Sequence, residues 1–475
     1  MAPGGARHRG WCRVEDMKLP PELRQLLETT PELARAFLVG GCVRDALLGR
    51  PQKDFDLEVY GVDYAALAKG LQRQGRVDLV GKSFGVIKFT RADGTQWDFS
   101  LPRRDSKTAA GHKGFTIACD PELELREAAS RRDFTINALM FNPRTHEYLD
   151  FFGGRRDLRA RRLRHTSDHF TEDPLRVLRG MQFVSRFRLT PAPATIELCR
   201  SISHTFAELA PERVGLEWLK WAGGGGRPSA GLRFLQATNW LQHFPELAAL
   251  AETPQDPEWH PEGNVFVHTG FACDALAALP EWQAADETTR RVLMLATLAH
   301  DLGKPATTHR AERRGKMRIV SPGHEQQGGP LAEAFLGRLK VSHELIRRVV
   351  PLVTHHLAQL QTLTGRSVRR LANALKPATI EELCLLMTAD AFGRPPRPQV
   401  VPRRLVALRE AAAQLRLQDA APQPLLRGRH LIARGRRPGR AFGTLLRAAF
   451  EAQLDGAFND LAGALRWLDA QPPED

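Results

Sequence analysis

A short stretch near the N-terminus constrains the fold most, because it combines two strand-like runs with a glycine pair and a helix. Residues 37–39 are apolar and lead into Gly40 and Gly41, and the residues that follow have helical spacing as far as Gly49. Residues 55–60 then have the composition of a second strand. The pattern predicts a strand–turn–helix–strand unit in a small mixed sheet.

The rest of the chain divides into a sheet-forming part and a helical part. Further strands are predicted at residues 77–80, 84–90 and 96–99, with a helix at residues 64–74 between them. From Asp173 onward almost every periodic segment has helical spacing. The predicted fold class is therefore an α/β head followed by all-α domains.

Charge and cysteine usage limit the classes of function. Lys and Arg number 68 against 54 Asp and Glu, a formal net charge of +14, which favours a polyanionic partner. The six cysteines are scattered, so neither a zinc knuckle nor a disulfide framework is indicated. No run approaches 18 apolar residues and the N-terminus lacks a signal-peptide core, so we expect a cytoplasmic protein without a membrane partner.

The strand–turn–helix–strand unit carries residues suited to nucleotide chemistry. Backbone N–H groups at Gly40 and Gly41 would face phosphate at a helix N-terminus. Asp54 and Asp56 are two residues apart, so in a strand both carboxylates leave the same face and would hold Mg²⁺. Each feature alone is common on ordinary surfaces; their combination in one unit favours a nucleotide site.

At this point the sequence resembles a known family. Residues 40–49, GGCVRDALLG, followed by Asp54-Phe55-Asp56, resemble the signature of nucleotidyltransferases of the tRNA CCA-adding enzyme and bacterial poly(A) polymerase type. The resemblance implies that Asp54 and Asp56 are catalytic and carry Mg²⁺. It also implies that Gly41 and Arg44 bind the incoming nucleoside triphosphate.

Residues 131–139, RRDFTINAL, match another motif of that family. The resemblance implies that Arg132 contacts the nucleotide and that Asp133 and Asn137 order its sugar side. The alternative is structural: the apolar residues of the segment supply core side chains, and Arg132 and Asp133 form an ion pair.

Residues 101–115 resemble the flexible loop of the family, with its cluster of basic and acidic residues. The resemblance implies that this loop helps the site to switch from CTP to ATP. Because the loop is typically shortened in enzymes that add only cytidines, its presence favours full CCA addition or addition of A.

Residues 172–179, EDPLRVLR, resemble the base-selecting motif of the family. On a helix Asp173, Arg176 and Arg179 fall on one face. A carboxylate accepts from the exocyclic amine of cytosine or adenine, and a guanidinium donates to the neighbouring ring nitrogen. Uracil and guanine would leave the carboxylate unpaired, so the protein itself would choose the base. The alternative is an exposed helix held by ion pairs.

A second set of residues lies in the helical part and comprises His268, His300, Asp301, His324, His355, His356 and Asp390. Histidine and aspartate are suitable ligands for a divalent transition metal, and their order here resembles that of the HD phosphohydrolase family. The resemblance implies four principal metal ligands: His268, His300, Asp301 and Asp390.

Further residues of this set would complete the site. We expect His324 and one of His355 or His356 to hold a second metal, and Lys304 to contact phosphate. The ion would be Mn²⁺, Ni²⁺ or Fe²⁺. The resemblance to bacterial CCA enzymes with this domain implies phosphodiesterase, 2′-nucleotidase and phosphatase activities; a purely structural metal is the alternative.

The resemblance predicts five regions. They are an N-terminal extension (1–33), a nucleotidyltransferase head (34–155), a helical neck for base selection and RNA binding (156–225), an HD domain (226–395) and a basic helical tail (396–475). A glycine run at residues 223–226 predicts a hinge.

The implied function is template-independent addition of CCA to tRNA from CTP and ATP. Alternatives within the class are a poly(A) polymerase and a dedicated A-adding enzyme. An alternative of another class is a metal phosphohydrolase whose head only binds RNA. The sequence leaves the oligomeric state open.

Overall fold

The computed structural model describes residues 17–52, 54–79, 85–107, 115–358 and 363–472. The chain folds into two compact units. The first contains the residues up to Gly180 and Leu189–Ala210, and the second contains Met181–Arg188 and the residues from Pro211 onward. The finer five-region division remains a prediction.

The first unit is a mixed sheet with helices, as predicted. Short 3-10 helices occur at Pro31–Leu33, Thr135–Asn137, Asp168–Glu172 and Ser203–Glu208. The other elements, in chain order, are α1 (Pro21–Thr29), β1 (Ala36–Val39), α2 (Gly41–Leu47), β2 (Asp56–Val59), α3 (Tyr64–Gln72), β3 (Arg76–Asp78), β4 (Val86–Thr90), β5 (Gln96–Ser100), β6 (Arg103–Lys107), β7 (Phe115–Cys119), α4 (Leu125–Ser130), β8 (Met140–Asn142), β9 (Glu147–Leu149), α5 (Gly154–Arg159), β10 (Arg162–Leu163), α6 (Leu175–Phe187, whose last residues belong to the second unit), β11 (Thr190–Pro191) and α7 (Pro193–Ser201).

Seven strands form the main sheet, in the order β3-β4-β5-β2-β1-β8-β9. Strand β2 pairs antiparallel with β1 and parallel with β5. The register of the parallel pair places Asp56 opposite Asp98. The strand that begins at Asp56 is therefore central in the sheet. The Asp56 carboxylate, at the start of the strand, has the Asp98 carboxylate as its neighbour.

Alternation along the strands buries side chains on both faces of this sheet. Leu38 and Leu57 belong to a cluster that includes residues of α1 and α3, whereas Phe37, Val39 and Tyr60 belong to a cluster on the other side. The period of two in a strand sends neighbouring side chains to opposite faces, so both faces of β1 are apolar.

The second unit is almost entirely helical. It has one short 3-10 helix at Leu241–His243 among the residues described. Its elements, in chain order, are α8 (Pro211–Gly224), α9 (Pro228–Ala237), α10 (Pro245–Ala251), α11 (Val265–Ala278), α12 (Pro280–Ala284), α13 (Glu287–Ala299), α14 (Lys304–Thr307), β12 (His309–Arg313), β13 (Lys316–Val320), α15 (His324–Arg338), α16 (His343–His355), α17 (Gly365–Ala374), α18 (Ile380–Phe392), α19 (Arg403–Gln414), α20 (Gly428–Ile432), α21 (Arg440–Asp455) and α22 (Leu461–Asp469).

Helices α11, α13 and α18 form the centre of the second unit. Helix α11 packs against α13 and α18, and α13 packs against α16. Residues on every side of α11 and α18 are buried, which is typical of helices inside a core rather than at its surface. Within the described residues, no helix combines the length and apolar character that crossing a membrane requires.

The predicted hinge at residues 223–226 is a packed helix end. Gly223 and Gly224 are the last residues of α8, and Gly225 and Gly226 leave the helix with φ of 63° and 79°. A Cβ on Gly226 would lie 2.3 Å from the carbonyl oxygen of Ser185, so the glycine is needed for close approach as well as for its backbone angle.

Two alanine substitutions distinguish the closely packed glycine from one that has space for a Cβ. Gly226→Ala should destabilise the second unit by about 1–3 kcal/mol, because it adds a clash with Ser185 to strain at positive φ. Gly223→Ala should be neutral or slightly stabilising, since its Cβ would meet the Arg291 side chain no closer than 3.6 Å. Urea unfolding followed by circular dichroism measures both, and equal midpoints for the two variants would contradict the packed arrangement.

Candidate functional site

A pocket of about 300 Å³ opens beside β2 and β5 in the first unit. Its walls carry the carboxylates Asp56, Glu58 and Asp98. They also carry the guanidinium groups of Arg131, Arg132 and Arg176. Acidic groups that bind divalent cations and basic groups that bind phosphate therefore lie in one pocket, as a metal–triphosphate complex requires.

Asp54 and Asp56 lie at the start of β2. Phe55 is buried between them, and both aspartates are exposed. Asp56 is open to solvent at the pocket but crowded by protein on its other sides. That desolvation, with the charges of Asp98 and Asp54, raises the pKa of the Asp56 carboxyl, and Arg132 opposes the shift. Like charges held together in this way are relieved by a bound cation.

Asp98 is a candidate residue that the sequence motifs did not identify. It lies in the middle of β5, within a segment predicted only as a strand, and it faces the same pocket as Asp56. The residue pattern could not reveal it, because the parallel register of β2 and β5 brings it to Asp56 from 42 positions away in sequence. Glu58, which accepts from the Tyr60 hydroxyl at 2.8 Å, also lay outside the motifs.

The glycine turn and the segment RRDFTINAL meet at this pocket. Gly40 has φ of 71°, and a Cβ there would lie 3.3 Å from Nη1 of Arg132. Gly41 is the first residue of α2. Arg132 itself lines the pocket, and its Nη2 lies 3.5 Å from Glu58 Oε2. The turn therefore leaves space for a guanidinium that is directed toward the carboxylates.

Four of the predicted nucleotide-binding residues form one hydrogen-bonded network. Arg44 donates to Asn137 Oδ1 at 2.6 Å, and Asn137 donates to Asp133 Oδ1 at 3.0 Å. Arg179 Nε donates to Asp133 Oδ2 at 2.7 Å. Arg44, Asn137 and Asp133 are each about 5% exposed. The side chains that the family motif predicts as nucleotide contacts are thus bonded to one another.

Asp133 is the centre of this network. Its burial alone would raise the pKa of the carboxyl, but the Arg179 charge and the hydrogen bonds from Asn137 and Arg179 outweigh it and lower the pKa. Asp133 is therefore an anion that fixes Arg179, while Arg132, its neighbour in sequence, faces the pocket. The alternative ion pair between Arg132 and Asp133 is not what the structure shows: Asp133 pairs with Arg179 and Arg132 with Glu58.

The base-selecting motif lies around the N-terminus of α6. Asp173 Oδ1 accepts from the backbone N–H of Leu175 at 3.1 Å. Arg176 donates to the carbonyl oxygens of His169 and Arg131, each at 2.6 Å, and lines the pocket. Arg176 and Arg179 are one helical turn apart, and both are held in position by hydrogen bonds within the protein.

The predicted flexible loop is only partly described. Its flanks form an antiparallel pair, β6 with β7, and Arg104 bonds to Asp120 and Glu127 at 2.8 and 2.6 Å. Residues 108–114 lie outside the described residues. The role of the loop in the change from CTP to ATP remains a prediction.

In the second unit, histidine and aspartate side chains converge between α11, α13, α15, α16 and α18. Among the described residues, three groups have ligand atoms within 4.8 Å of one another; His260, Glu262 and His268 form one group, and the other two are sets that contain an aspartate. One set comprises His268, His300 and Asp390, and the other comprises Asp301, His324 and His356. All six residues are buried. The geometry selects His356 rather than His355 for the second set.

Three of these histidines are held by a backbone carbonyl. His300, His324 and His356 donate from Nδ1 to the carbonyl oxygens of Thr297, Ser321 and Val353, each at 2.7 Å. Each bond spans only three residues, so the end of a helix or turn sets the ring direction. The Nε2 atoms are left for the centre of the cluster, which is the arrangement that hydrogen-bond partners give metal-binding histidines.

Glu262 orients the His268 ring in the same way, through a hydrogen bond to Nδ1. Its side chain is fully buried, and Oε1 accepts from Nδ1 of His260 and of His268, each at 2.8 Å. Burial would raise the pKa of this carboxyl, but the bonds from the two histidines lower it to about 2. Sequence analysis did not identify Glu262, because nothing in residues 260–263 indicates that two imidazole rings share one carboxylate oxygen of Glu262.

The charges in the cluster suit a cation. Burial would raise the pKa of Asp301, but His300 and Lys304 outweigh it and hold the pKa well below its ordinary value. Asp390 is similarly held low in pKa by Arg394 and His268 against the effect of burial. Burial, with His300, lowers the pKa of His356 to about 3, so this ring is neutral at pH 7 and has a lone pair for a ligand bond.

A divalent metal fits the residues that are present. His300 Nε2 is buried and lies 3.3 Å from Asp301 Oδ2, and no hydrogen bond to it is formed among the described residues. Nε2 of His324 lies 3.3 Å from Nε2 of His356 and 3.2 Å from Asp301 Oδ1. Imidazole and carboxylate groups at these separations are the donor set of a transition-metal centre. Lys304, predicted to contact phosphate, lies 2.7 Å from Asp301 Oδ2 and bonds to Gln255.

Two family models match the chain. Residues 36–164 match the Poly A polymerase head domain, and residues 268–394 match the HD domain. The first match contains the Asp56 pocket, and the second contains both histidine–aspartate sets. The chain is thus a nucleotidyltransferase with an HD domain.

Solved structures share the fold. A Bacillus stearothermophilus CCA-adding enzyme in complex with CTP has a TM-score of 0.63 at 21% identity, over 95% of this chain and 98% of that one. A Thermotoga maritima CCA-adding enzyme complexed with tRNA has a TM-score of 0.58 at 18% identity, over 96% and 97%.

Curated relatives are more similar in sequence. A multifunctional CCA protein of Xanthomonas campestris is 37% identical over 375 residues, which is 76% of this chain and 85% of that protein. One from Cupriavidus metallidurans is 35% identical over 405 residues, 80% of this chain and 91% of that protein. At this identity and coverage, the chain belongs to the family of multifunctional CCA proteins.

Proposed function

We propose that this protein adds CCA to the 3′ end of tRNA from CTP and ATP without a nucleic-acid template, in the cytoplasm. The observation that carries the proposal is the pocket that brings Asp56 and Asp98 together with Arg132 and Arg176. Membership of the multifunctional CCA proteins supports the choice of tRNA as acceptor. The net charge of +14 favours the same polyanion.

The carboxylates of the pocket have a defined task. Asp54 and Asp56, with Asp98 beside them, would hold Mg²⁺, which when bound lowers the pKa of the attacking 3′-hydroxyl and neutralises the departing pyrophosphate. Arg132 and Arg176 would bind the triphosphate oxygens and orient the α-phosphate toward the acceptor. The 3′ oxygen forms the new bond to the α-phosphate, and pyrophosphate leaves from the opposite side.

Base selection falls to the residues near the start of α6. Asp173 would accept from the exocyclic amine of cytosine or adenine, and Arg179 would donate to the adjacent ring nitrogen. Arg179 is suited to this because Asp133 holds its Nε atom, which fixes the plane of the guanidinium. Arg44 and Asn137 act indirectly, since they hold Asp133 in place.

The HD domain would hydrolyse phosphoesters. His268, His300, Asp301 and Asp390, with His324 and His356, would hold Mn²⁺, Ni²⁺ or Fe²⁺, which supplies a nucleophilic hydroxide at neutral pH when bound. The side chains that line the cavity beside them, Lys304 and Arg394, carry the positive charge that a phosphate needs.

A poly(A) polymerase is the second candidate. The observation that favours it is the match of residues 36–164 to the Poly A polymerase head domain. The two functions share the chemistry of the head and differ in acceptor and in when addition stops.

Substitution of the carboxylates tests the head. Asp56→Asn and Asp98→Asn should each lower single-turnover addition of CMP to tRNA by at least about 100-fold, because each removes a charge that would face Mg²⁺. Glu147→Gln, an exposed carboxylate on β9, is the matched control and should retain full activity. An Asp98→Asn variant as active as the control would remove Asp98 from the site.

The network around Asp133 predicts an effect on base choice. Asp133→Asn should lower kcat/KM for CTP by about 10–100-fold, since it removes a charged partner of Arg179, and should narrow the preference for CTP over UTP. Arg179→Lys should act in the same direction because it loses the planar fork. Steady-state kinetics with each nucleotide measure both. An unchanged ratio of CTP to UTP would assign Asp133 a structural role only.

Metal content tests the HD domain. His356→Ala should lower bound Mn²⁺ or Ni²⁺ by about one ion per chain, measured by mass spectrometry after dialysis, because it removes a ligand of the second set. His355→Ala is the matched control, since that ring lies outside both sets, and should keep the metal. Equal metal loss in the two variants, or none in either, would contradict the assigned ligands.

A further inference from the structure

An exposed tryptophan lies at the mouth of the histidine–aspartate cavity. Trp259 is 53% exposed, yet it lines the same cavity of about 280 Å³ as Asp301, His324 and Asp390. This volume is near the lower end of the range of about 300–1,000 Å³ typical of small-molecule sites. A single exposed apolar side chain is ordinary on a protein surface, but one that borders a cavity lined by buried polar groups is placed to contact a ligand.

The indole of Trp259 is held in place. The guanidinium of Arg397 lies over the ring, 5.4 Å from its centroid, and Arg397 also donates to the carbonyl oxygen of Glu258. The Trp259 backbone N–H donates to the carbonyl oxygen of Asp256 at 3.1 Å, and Asp256 is paired with Arg318. Arg397 covers one face of the ring, and an aromatic ring that borders a cavity is suited to stacking against a planar ligand.

Basic side chains line the same cavity as this ring and the cluster. Arg394 donates to Asp390 Oδ1 at 2.6 Å, and its buried Nε atom has no hydrogen-bond partner in the part of the chain that is described. Lys304 lies beside Asp301 in the same cavity. A second cavity of about 470 Å³ shares Asp390 and Arg394 and is lined by Arg397. A ligand phosphate near the cluster would thus meet basic side chains, and a ring attached to it would extend toward Trp259.

We propose that Trp259 stacks against the nucleobase of a nucleoside phosphoester whose phosphate is bound by Arg394 beside the histidine–aspartate cluster. The inference rests on the proposed phosphohydrolase function and adds to it a residue that distinguishes nucleotides from other phosphoesters. Every base has a flat π-face, so stacking accepts any base but not a ligand without one. Arg397, stacked on the same ring, is a positioning residue that holds the indole.

The same chemistry occurs in a free nucleotide and at the 3′ end of an RNA. Both present a base, a ribose and a terminal phosphate. The second cavity and its arginines would lie along the path of a preceding nucleotide if the ligand is an RNA end. The experiment therefore includes one ligand of each kind.

The test measures binding rather than turnover, on the full chain after treatment with chelator. The probes are adenosine 2′-monophosphate, ribose 5-phosphate, and an RNA trinucleotide ending in a 2′-phosphate, each titrated by ligand-observed NMR. Trp259→Ala should weaken binding of adenosine 2′-monophosphate by between about fivefold and a hundredfold, as expected for loss of one stacked base, and leave ribose 5-phosphate unchanged. Trp259→Phe should restore most of the affinity.

Controls separate the possible failures. Val400→Ala, an exposed apolar residue that neither cavity includes, should bind every probe as the unsubstituted chain does. Trp259→Ala should keep the thermal midpoint of the unsubstituted chain. If Trp259→Ala loses more affinity for the trinucleotide than for the mononucleotide, the ligand is an RNA end. If it loses more affinity for the mononucleotide, the ligand is a free nucleotide. Either result supports the stacking role.

Two results would overturn the proposal in different ways. The tryptophan does not bind the base if Trp259→Ala weakens binding of adenosine 2′-monophosphate and of ribose 5-phosphate to the same extent, or if it weakens binding of neither. If the unsubstituted chain binds none of the probes even after Mn²⁺ is restored, the phosphoester function of the HD domain fails as well.

Discussion

The buried carboxylate of Asp133 is the interaction on which the nucleotide site depends. A buried anion is stable only when it is paired and hydrogen-bonded, and Asp133 meets this condition with Asn137 and Arg179. Asn137 in turn accepts from Arg44 in the helix that follows the glycine turn. One carboxylate therefore connects three motifs that are far apart in sequence. Removing it would deprive the Arg179 guanidinium of its ion-pair partner and would release the residue proposed to recognise the base.

The buried charges of the HD domain are also paired and hydrogen-bonded, here around a site for a cation. Its aspartates are buried beside imidazoles and basic side chains, and each imidazole is oriented through the nitrogen that faces away from the cluster. Orientation of this kind reduces the reorganisation that metal binding would otherwise require. Glu262 is the clearest instance, since a single buried oxygen holds the rings of His260 and His268.

Local patterns predicted the parts of the site that are close in sequence. The turn at Gly40, the helix after it and the strand at Asp56 follow from glycine, apolar spacing and alternation within about 20 residues, and the structure confirms them. The histidine–aspartate set was also recognised from residue types and order. Its likeness to a family model supports that interpretation.

The features that sequence analysis missed depend on pairing across the fold. Asp98 reaches Asp56 only through the parallel register of two strands. The choice of His356 over its neighbour depends on which ring the end of α16 directs inward. Arg44, which the resemblance implies binds the nucleotide, is buried and donates to Asn137, a contact that spacing within a helix does not reveal. The glycines at 223–226 were interpreted as a hinge because a close backbone approach leaves no trace in composition.

The measurement that tests the central claim most directly is the sequence of the tRNA 3′ ends that the protein makes. Transcripts ending at the discriminator base, at C or at CC are incubated with Mg²⁺ and with CTP, ATP or both, and the products are sequenced. We expect two cytidines and then one adenosine, in that order, with no further growth. The proposed CCA addition would be contradicted by long adenosine tails, by addition of A to the CC end alone, or by no incorporation.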